Sequence, residues 1–148
     1  MSEDFRHAVA QTNTTFQDKL NSTRRNTEAG ASGDHWTTDN IPNQSGRTFI
    51  VTGANSGLGY VTSKELARHG GHVIMAVRDE IKGKEALEQL RARQPDASVE
   101  LRHLDLSDLN SVRAFAEGIV VDRLPVHVLI NNAGIMMPPR FLTKQGFE

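Results

Sequence analysis

The chain contains no cysteine, so it can form neither a disulfide framework nor a thiolate metal site. Its six histidines lack the spacing of metal ligands, and we predict no metal site. No apolar run reaches the length of a membrane span, and the amino terminus has no apolar secretion signal. A net charge of −1 gives little attraction for nucleic acid. We therefore expect a cytoplasmic protein that neither binds nucleic acid nor spans a membrane.

Apolar side chains are scarce in the first 46 residues. The branched aliphatic and phenylalanine residues there are Phe5, Val9, Phe16, Leu20 and Ile41. Five such residues fall below the roughly 20% typical of chains that can bury a core. We predict that residues 1–46 are a disordered extension, in which 5–20 could form a weak helix or a partner-binding segment, and that residues 47–148 are the folded domain.

The folded part opens with an apolar strand that runs directly into a glycine-rich turn. The glycines are Gly53, Gly57 and Gly59. A strand that turns sharply into a helix beside a pyrophosphate needs residues without a Cβ, and the helix N-terminus then presents N–H groups to the phosphates. Asn55 and Ser56 can hold this turn or contact a phosphate or ribose. Taken alone, the motif also fits a turn with no ligand.

Strand and helix patterns alternate along the rest of the domain. Predicted strands lie at about 49–52, 72–77, 99–104 and 126–131, and predicted helices follow the glycines and lie at about 81–93 and 109–119. Such alternation indicates an α/β fold, a doubly wound parallel sheet of the Rossmann type, incomplete after about four strands. The last strand would be an apolar edge, so we expect a marginally stable chain or association through this edge, including homo-oligomers.

Polar residues follow three of these strands, where such a sheet binds ligands. A cation at Arg78 favours the 2′-phosphate of NADP, and neither Ala76 nor Val77 is a carboxylate that could bind the ribose of NAD. Asp105 could meet an adenine, and the turn 131–134 could approach a ribose. Each has a structural alternative: a solvated arginine beside Asp79, a helix N-terminal carboxylate, and an Asn/Gly turn.

Two motifs carry a family resemblance. Residues 52–59, TGANSGLG, match the TGxxxGxG motif of the short-chain dehydrogenase/reductase family, and residues 131–134 match its NNAG motif. Residues 73–79 and 135–138 resemble the retinol-dehydrogenase-like branch. The resemblance covers roughly residues 36–148.

The resemblance implies a cofactor site for NADP, with NAD the lesser expectation. The glycine loop would shape the pyrophosphate site, residue 78 would face the 2′-phosphate, residues 105 and 106 the adenine, and residues 132–134 the ribose. The implied cofactor-binding residues are Gly53, Asn55, Ser56, Gly57, Leu58, Gly59, Arg78, Asp105, Leu106, Asn132, Ala133 and Gly134.

The family's catalytic Ser and Tyr-x-x-x-Lys pair stand beyond the NNAG motif, and Glu148 lies only 14 residues after Gly134. The resemblance therefore implies the NADP-binding half of an oxidoreductase that transfers hydride between NADP and an alcohol or carbonyl substrate, with no catalytic residue in this chain. Whether the chain itself is an enzyme stays open. The alternative is a non-catalytic nucleotide-binding or interaction module. Tyr60 and Lys64 have the Tyr-x-x-x-Lys spacing, but they would lie beside the pyrophosphate and not the nicotinamide.

Overall fold

The computed structural model describes residues 35–136, 140 and 142–147. Most of the extension for which the sequence predicts disorder, residues 1–34, lies outside this part. Before Asn43 the described residues form one short 3₁₀ helix, Thr38–Asn40, with Thr37 as its N-cap. Residues from Asn43 onward form a separate compact unit, which holds the strands and α-helices described below.

The unit from Asn43 onward alternates strands and helices as the sequence predicts. Its elements are β1 (Thr48–Thr52), α1 (Gly57–Arg68), β2 (His72–Val77), α2 (Glu80–Arg93), β3 (Val99–His103), α3 (Leu109–Val121) and β4 (Val128–Ile130). The four strands are parallel in the order β3-β2-β1-β4. The predicted α/β doubly wound sheet is confirmed. β4 is shorter than predicted because only Val128–Ile130 pair with β1, and the backbone N–H of Asn132 turns back to the carbonyl of Ile130, 3.0 Å away, at its end.

The helices begin and end at residues suited to those positions. Asp79 caps α2 by accepting hydrogen bonds from the N–H groups of Ile81 and Lys82, both at 3.1 Å. Asp108 caps α3 by accepting from the N–H of Asn110 at 3.0 Å. After α1 the chain turns at Gly70, whose φ of +87° is readily adopted only by glycine. These caps and turns fix the short connections through which every strand runs in the same direction.

The central strands β1 and β2 are buried on both faces, as expected for parallel strands covered by helices. On one face their side chains pack with α1 and α2, in a core of Phe49, Val51, Val73, Met75, Val77, Ala86 and Leu90. On the other face the core is Ile50, Ile74, Ala76, Leu104 and Ile119. The alternation along each strand follows from the two-residue period of β structure.

Among the described strands, β4 is an edge that exposes apolar side chains. Val128 is 37% and Leu129 54% exposed, and an open apolar edge favours pairing with another chain. We expect the 148-residue chain to associate as its concentration rises, and Leu129→Lys to reduce this association. Sedimentation velocity over a concentration series measures it, with Ile81→Lys as control because Ile81 is exposed on α2, away from the edge. Equal association in both variants would contradict the prediction.

Candidate functional site

A cleft of about 920 Å³ lies at the carboxyl ends of the parallel strands. Because all four strands point the same way, the loops after them converge there. Nine of the twelve residues that the sequence nominates for cofactor binding line this cleft, namely Gly53, Asn55, Ser56, Arg78, Asp105, Leu106, Asn132, Ala133 and Gly134. Its volume falls within the range of about 300–1,000 Å³ that is usual for small-molecule and cofactor pockets.

The glycine loop and the NNAG loop are joined through Thr52. Its hydroxyl accepts hydrogen bonds from the N–H groups of Asn132 at 3.0 Å and Ala133 at 2.9 Å, and donates to the carbonyl of Ile130 at 3.3 Å. The side-chain amide of Asn132 donates to the carbonyl of Thr52 at 2.9 Å. The Asn132 side chain therefore holds the two loops together, and both its side-chain amide and the backbone N–H of Asn132 donate to Thr52.

Two of the three glycines are required by this junction of loops. Gly53 has φ +66°, and a Cβ there would lie 3.0 Å from the Cα of Ala133. A Cβ on Gly59 would lie 2.5 Å from both the side-chain nitrogen of Asn132 and the carbonyl oxygen of Gly53. Gly57 has φ +54° with open space around the Cβ position, so its requirement is conformational. The sequence correctly indicates that glycine is needed at these positions. At Gly53 and Gly59, however, the atoms that exclude a Cβ belong to the protein and not to a pyrophosphate.

The N-terminus of α1 differs from those of the other two α-helices that the structure describes. Aspartates cap α2 and α3 through their side chains, whereas Ser56 at the N-cap of α1 makes no side-chain cap hydrogen bond. The first N–H groups of a helix have no partner within the helix and carry the positive end of its dipole. Ser56 itself lines the cleft. The cleft thus meets a helix N-terminus suited to an anion.

Asp105 presents a carboxylate that is held in place on one side only. Its Oδ1 accepts hydrogen bonds from the hydroxyl of Ser107 at 2.6 Å and from the N–H of Ser107 at 2.9 Å. These bonds, and then the charges of Arg78 and Lys144, hold the pKa of Asp105 below its ordinary value. Within the described residues Oδ2 accepts no hydrogen bond, so an ionised oxygen is available to accept one from a ligand amino group.

Two cations line the cleft beyond the end of β2. The sequence predicts Arg78 as a cofactor-binding residue. It does not predict Lys82, which lies in the first turn of α2. The neighbouring carboxylate, Asp79, is committed to capping α2, and its Oδ2 lies 3.7 Å from the Nζ of Lys82. Lys82 lies in the first turn of the helix that begins two residues after Arg78, so it could have been found from the sequence once the start of the helix was known.

The three nominated residues outside the cleft lining are Gly57, Leu58 and Gly59; Leu58 is 79% exposed. Tyr60 and Lys64 also lie outside it. Tyr60 packs against the core, with a buried hydroxyl that has no hydrogen-bond partner among the described residues. The Nζ of Lys64 pairs with Glu65 at 3.0 Å.

The described ranges contain no helix long and apolar enough to cross a membrane. Over the same residues no group of three histidine, cysteine, aspartate or glutamate side chains could hold a metal ion.

The carboxylate of Asp108, at the start of α3, is expected to make the stability of the fold sensitive to acid. Hydrogen bonds from Lys144, Gln145 and the N–H of Asn110 lower its pKa from 3.8 to about 2. A pKa lowered by folding means that this stabilisation is present above about pH 4 and is lost as the pH falls toward 2. We expect Asp108→Asn, which keeps a capping side chain, to flatten the dependence of the unfolding free energy on pH in that window. Urea unfolding from pH 2 to 5 measures it, and an unchanged slope would contradict the prediction.

Comparison with known proteins identifies the family. Residues 47–147 match the short chain dehydrogenase family. Retinol dehydrogenase 12 of Bos taurus is 47% identical over 103 residues, which are 70% of this chain and 33% of that protein. The crystal structure of an uncharacterized protein from Mycobacterium Paratuberculosis is 53% identical, with a TM-score of 0.67, over 78% of this chain and 40% of that one.

A metagenomic short-chain oxidoreductase solved in complex with NADP is 31% identical, with a TM-score of 0.57, over 63% of this chain and 41% of that one. The chain belongs to the short-chain dehydrogenase/reductase family of oxidoreductases, in its retinol-dehydrogenase-like branch. It spans about a third of the length of the curated relatives that it matches.

Proposed function

We propose that the unit from Asn43 onward binds NADP(H) in the cleft and serves as the cofactor-binding half of an oxidoreductase acting on alcohol or carbonyl groups. The N-terminus of α1 carries this proposal, since it is the described α-helix without a side-chain cap and its N-cap residue lines the cleft. A pyrophosphate there would accept hydrogen bonds from the first N–H groups of the helix and would gain from its dipole.

The preference for NADP over NAD rests on the charges beyond β2. Arg78 and Lys82 both line the cleft, so a 2′-phosphate would meet two cations. NAD-specific sites use a carboxylate for the ribose hydroxyls. Asp79 follows Arg78 and also lines the cleft. Its carboxylate already accepts hydrogen bonds from two backbone N–H groups as the cap of α2.

The adenine end of the cofactor would lie toward Asp105 and Leu106. An ionised Oδ2 on Asp105 is an acceptor for the amino group of adenine, and Leu106, 52% exposed, offers an apolar contact for the ring. Gly134 lines the cleft with no close neighbour at its Cβ position, which leaves room for the ribose half. When bound, NADP(H) supplies the hydride-carrying nicotinamide ring. The described residues bind and orient this cofactor.

The test is a titration of the 148-residue chain with NADPH and NADH, followed by nicotinamide fluorescence and by thermal shift. We expect saturable binding with NADPH favoured at least tenfold, because a hydrogen-bonded charge contributes about 1.5–3 kcal/mol. Equal binding of the two would overturn the preference and leave the dinucleotide site. Binding of neither would overturn the proposed function of this chain.

A further inference from the structure

Residues 142–147 form a compact turn of their own. The N–H of Thr143 donates to the carbonyl of Phe147 at 2.7 Å, and the N–H of Phe147 donates back to the Thr143 hydroxyl at 2.9 Å. Gly146 closes the turn with φ +83° and donates to the carbonyl of Thr143 at 2.9 Å. This turn fixes where the side chains of the two residues inside it point.

Those two side chains contact the start of α3. The Nζ of Lys144 lies 2.6 Å from Oδ2 of Asp108, and the side-chain nitrogen of Gln145 donates to Oδ1 of Asp108 at 3.0 Å. Gln145 also accepts from the N–H of Leu109 at 3.1 Å. The backbone N–H of Lys144 donates to the carbonyl of Ser107 at 3.4 Å. The turn thus contacts three consecutive residues, 107–109, and both oxygens of one carboxylate.

The residues that it contacts continue directly into the proposed adenine site. The N–H of Asp108 donates to the carbonyl of Asp105 at 3.1 Å, and Ser107 donates two hydrogen bonds to the Asp105 carboxylate. Ser107 and Thr143 line the cleft, as Asp105 does. A shift of the 107–109 backbone would therefore reorient the Asp105 carboxylate.

We infer that Lys144 and Gln145 are positioning residues for the adenine site: through Asp108 and Leu109 they hold the loop from Asp105 to Asp108 in the conformation that presents Asp105 to the cofactor. This inference rests on the proposed function. It assigns to the 142–147 turn a role in cofactor affinity although Lys144 and Gln145 do not line the cleft.

The test compares NADP⁺ affinity of the full chain with that of Lys144→Ala, Asp108→Asn and the double variant, by isothermal titration calorimetry. The Lys144 side chain is exposed, and exposed ion pairs contribute little. We therefore expect each single variant to bind NADP⁺ about fivefold more weakly, which is the upper end of the effect of an exposed ion pair. The double variant should lose no more than either single variant, because both changes remove the same contact. Lys144→Arg should retain wild-type affinity.

Asp108→Asn separates positioning from simple attraction of the anionic cofactor by Lys144. If Lys144 acted only as a nearby cation, removing the Asp108 charge would strengthen binding, whereas positioning predicts weaker binding. The matched control is Lys84→Ala, an exposed lysine of α2 outside the cleft lining, which should bind as the wild type does. Hydrogen exchange supplies a second readout, and the N–H groups of Ser107 and Leu109 should exchange faster in Lys144→Ala.

The outcomes are distinct. Wild-type affinity in Lys144→Ala and Asp108→Asn, or stronger binding in Asp108→Asn, overturns the inference and leaves the proposed function intact. Failure of the wild-type chain to bind NADP⁺ overturns the proposed function and the inference with it. Weaker binding in both single variants, with faster exchange at Ser107 and Leu109, supports the inference.

Discussion

Gly59→Ala is expected to abolish NADP(H) binding and to lower the free energy of unfolding by about 3 kcal/mol. A Cβ at this position would stand 2.5 Å from the carbonyl oxygen of Gly53 and from the side-chain nitrogen of Asn132. The Gly53 oxygen belongs to the backbone and cannot rotate away. Relief would require the start of α1 to move away from both Gly53 and the NNAG loop, which disturbs the hydrogen bond from the Asn132 side chain to Thr52. Urea unfolding and NADPH fluorescence measure the two effects.

Gly118→Ala is the matched control because it places the same methyl group in another helix. The nearest atom to a Cβ at Gly118 is the Nη1 of Arg102 at 3.6 Å, an ordinary contact distance. Alanine favours the helix over glycine, so this variant should be more stable by about 0.5–1 kcal/mol and should bind NADPH normally. Unchanged NADPH binding in Gly59→Ala would contradict the role assigned to the junction of the two loops.

Arg78→Ala is expected to weaken NADPH binding about 10- to 100-fold and to change NADH binding by less than about threefold. The loss corresponds to the 1.5–3 kcal/mol contributed by a hydrogen bond to a charged group, at about 1.4 kcal/mol for each factor of ten. NADH lacks the 2′-phosphate that Arg78 is proposed to contact. Parallel fluorescence titrations of both cofactors measure the ratio of affinities.

The control for this change is Arg93→Ala, at the far end of α2 and outside the cleft lining, which should keep the wild-type ratio. Lys82→Ala should weaken NADPH binding less than Arg78→Ala does, since Lys82 is already shared with Asp79. An equal loss of NADPH and NADH affinity in Arg78→Ala would mean that Arg78 contacts the common part of the cofactors or supports the fold, and would contradict the assignment.

Much of the fold could be predicted from local sequence pattern. The strand predicted at residues 72–77 has the observed bounds. Its apolar run is flanked by the turn residues Gly70–Gly71 and by Arg78, and the same run is the part that the fold buries. β4 was predicted too long because its end is set by the turn of Asn132 onto Ile130 and by pairing with β1 across about 80 residues. Such tertiary limits leave no mark on a local pattern.

The site was predictable only in part. Strand ends of a parallel sheet must converge, so the sequence could nominate Arg78, Asp105 and the NNAG turn together. It could not indicate that the side chain of Asn132 would donate to the Thr52 carbonyl, because that bond depends on the register of two strands. The contact between Lys144 and Asp108 joins residues 36 apart with no periodic signal, and only the folded chain brings them together.

The most direct test of the central claim is a map of amide chemical-shift changes on ¹⁵N-labelled chain titrated with NADP⁺. The account predicts the largest changes at the glycine loop, at Arg78 and Lys82, at residues 105–107 and at residues 132–134, with saturation at one equivalent. Saturable changes centred elsewhere, for example around Phe115 and Gly118 on α3, would place the dinucleotide outside the cleft and contradict the account.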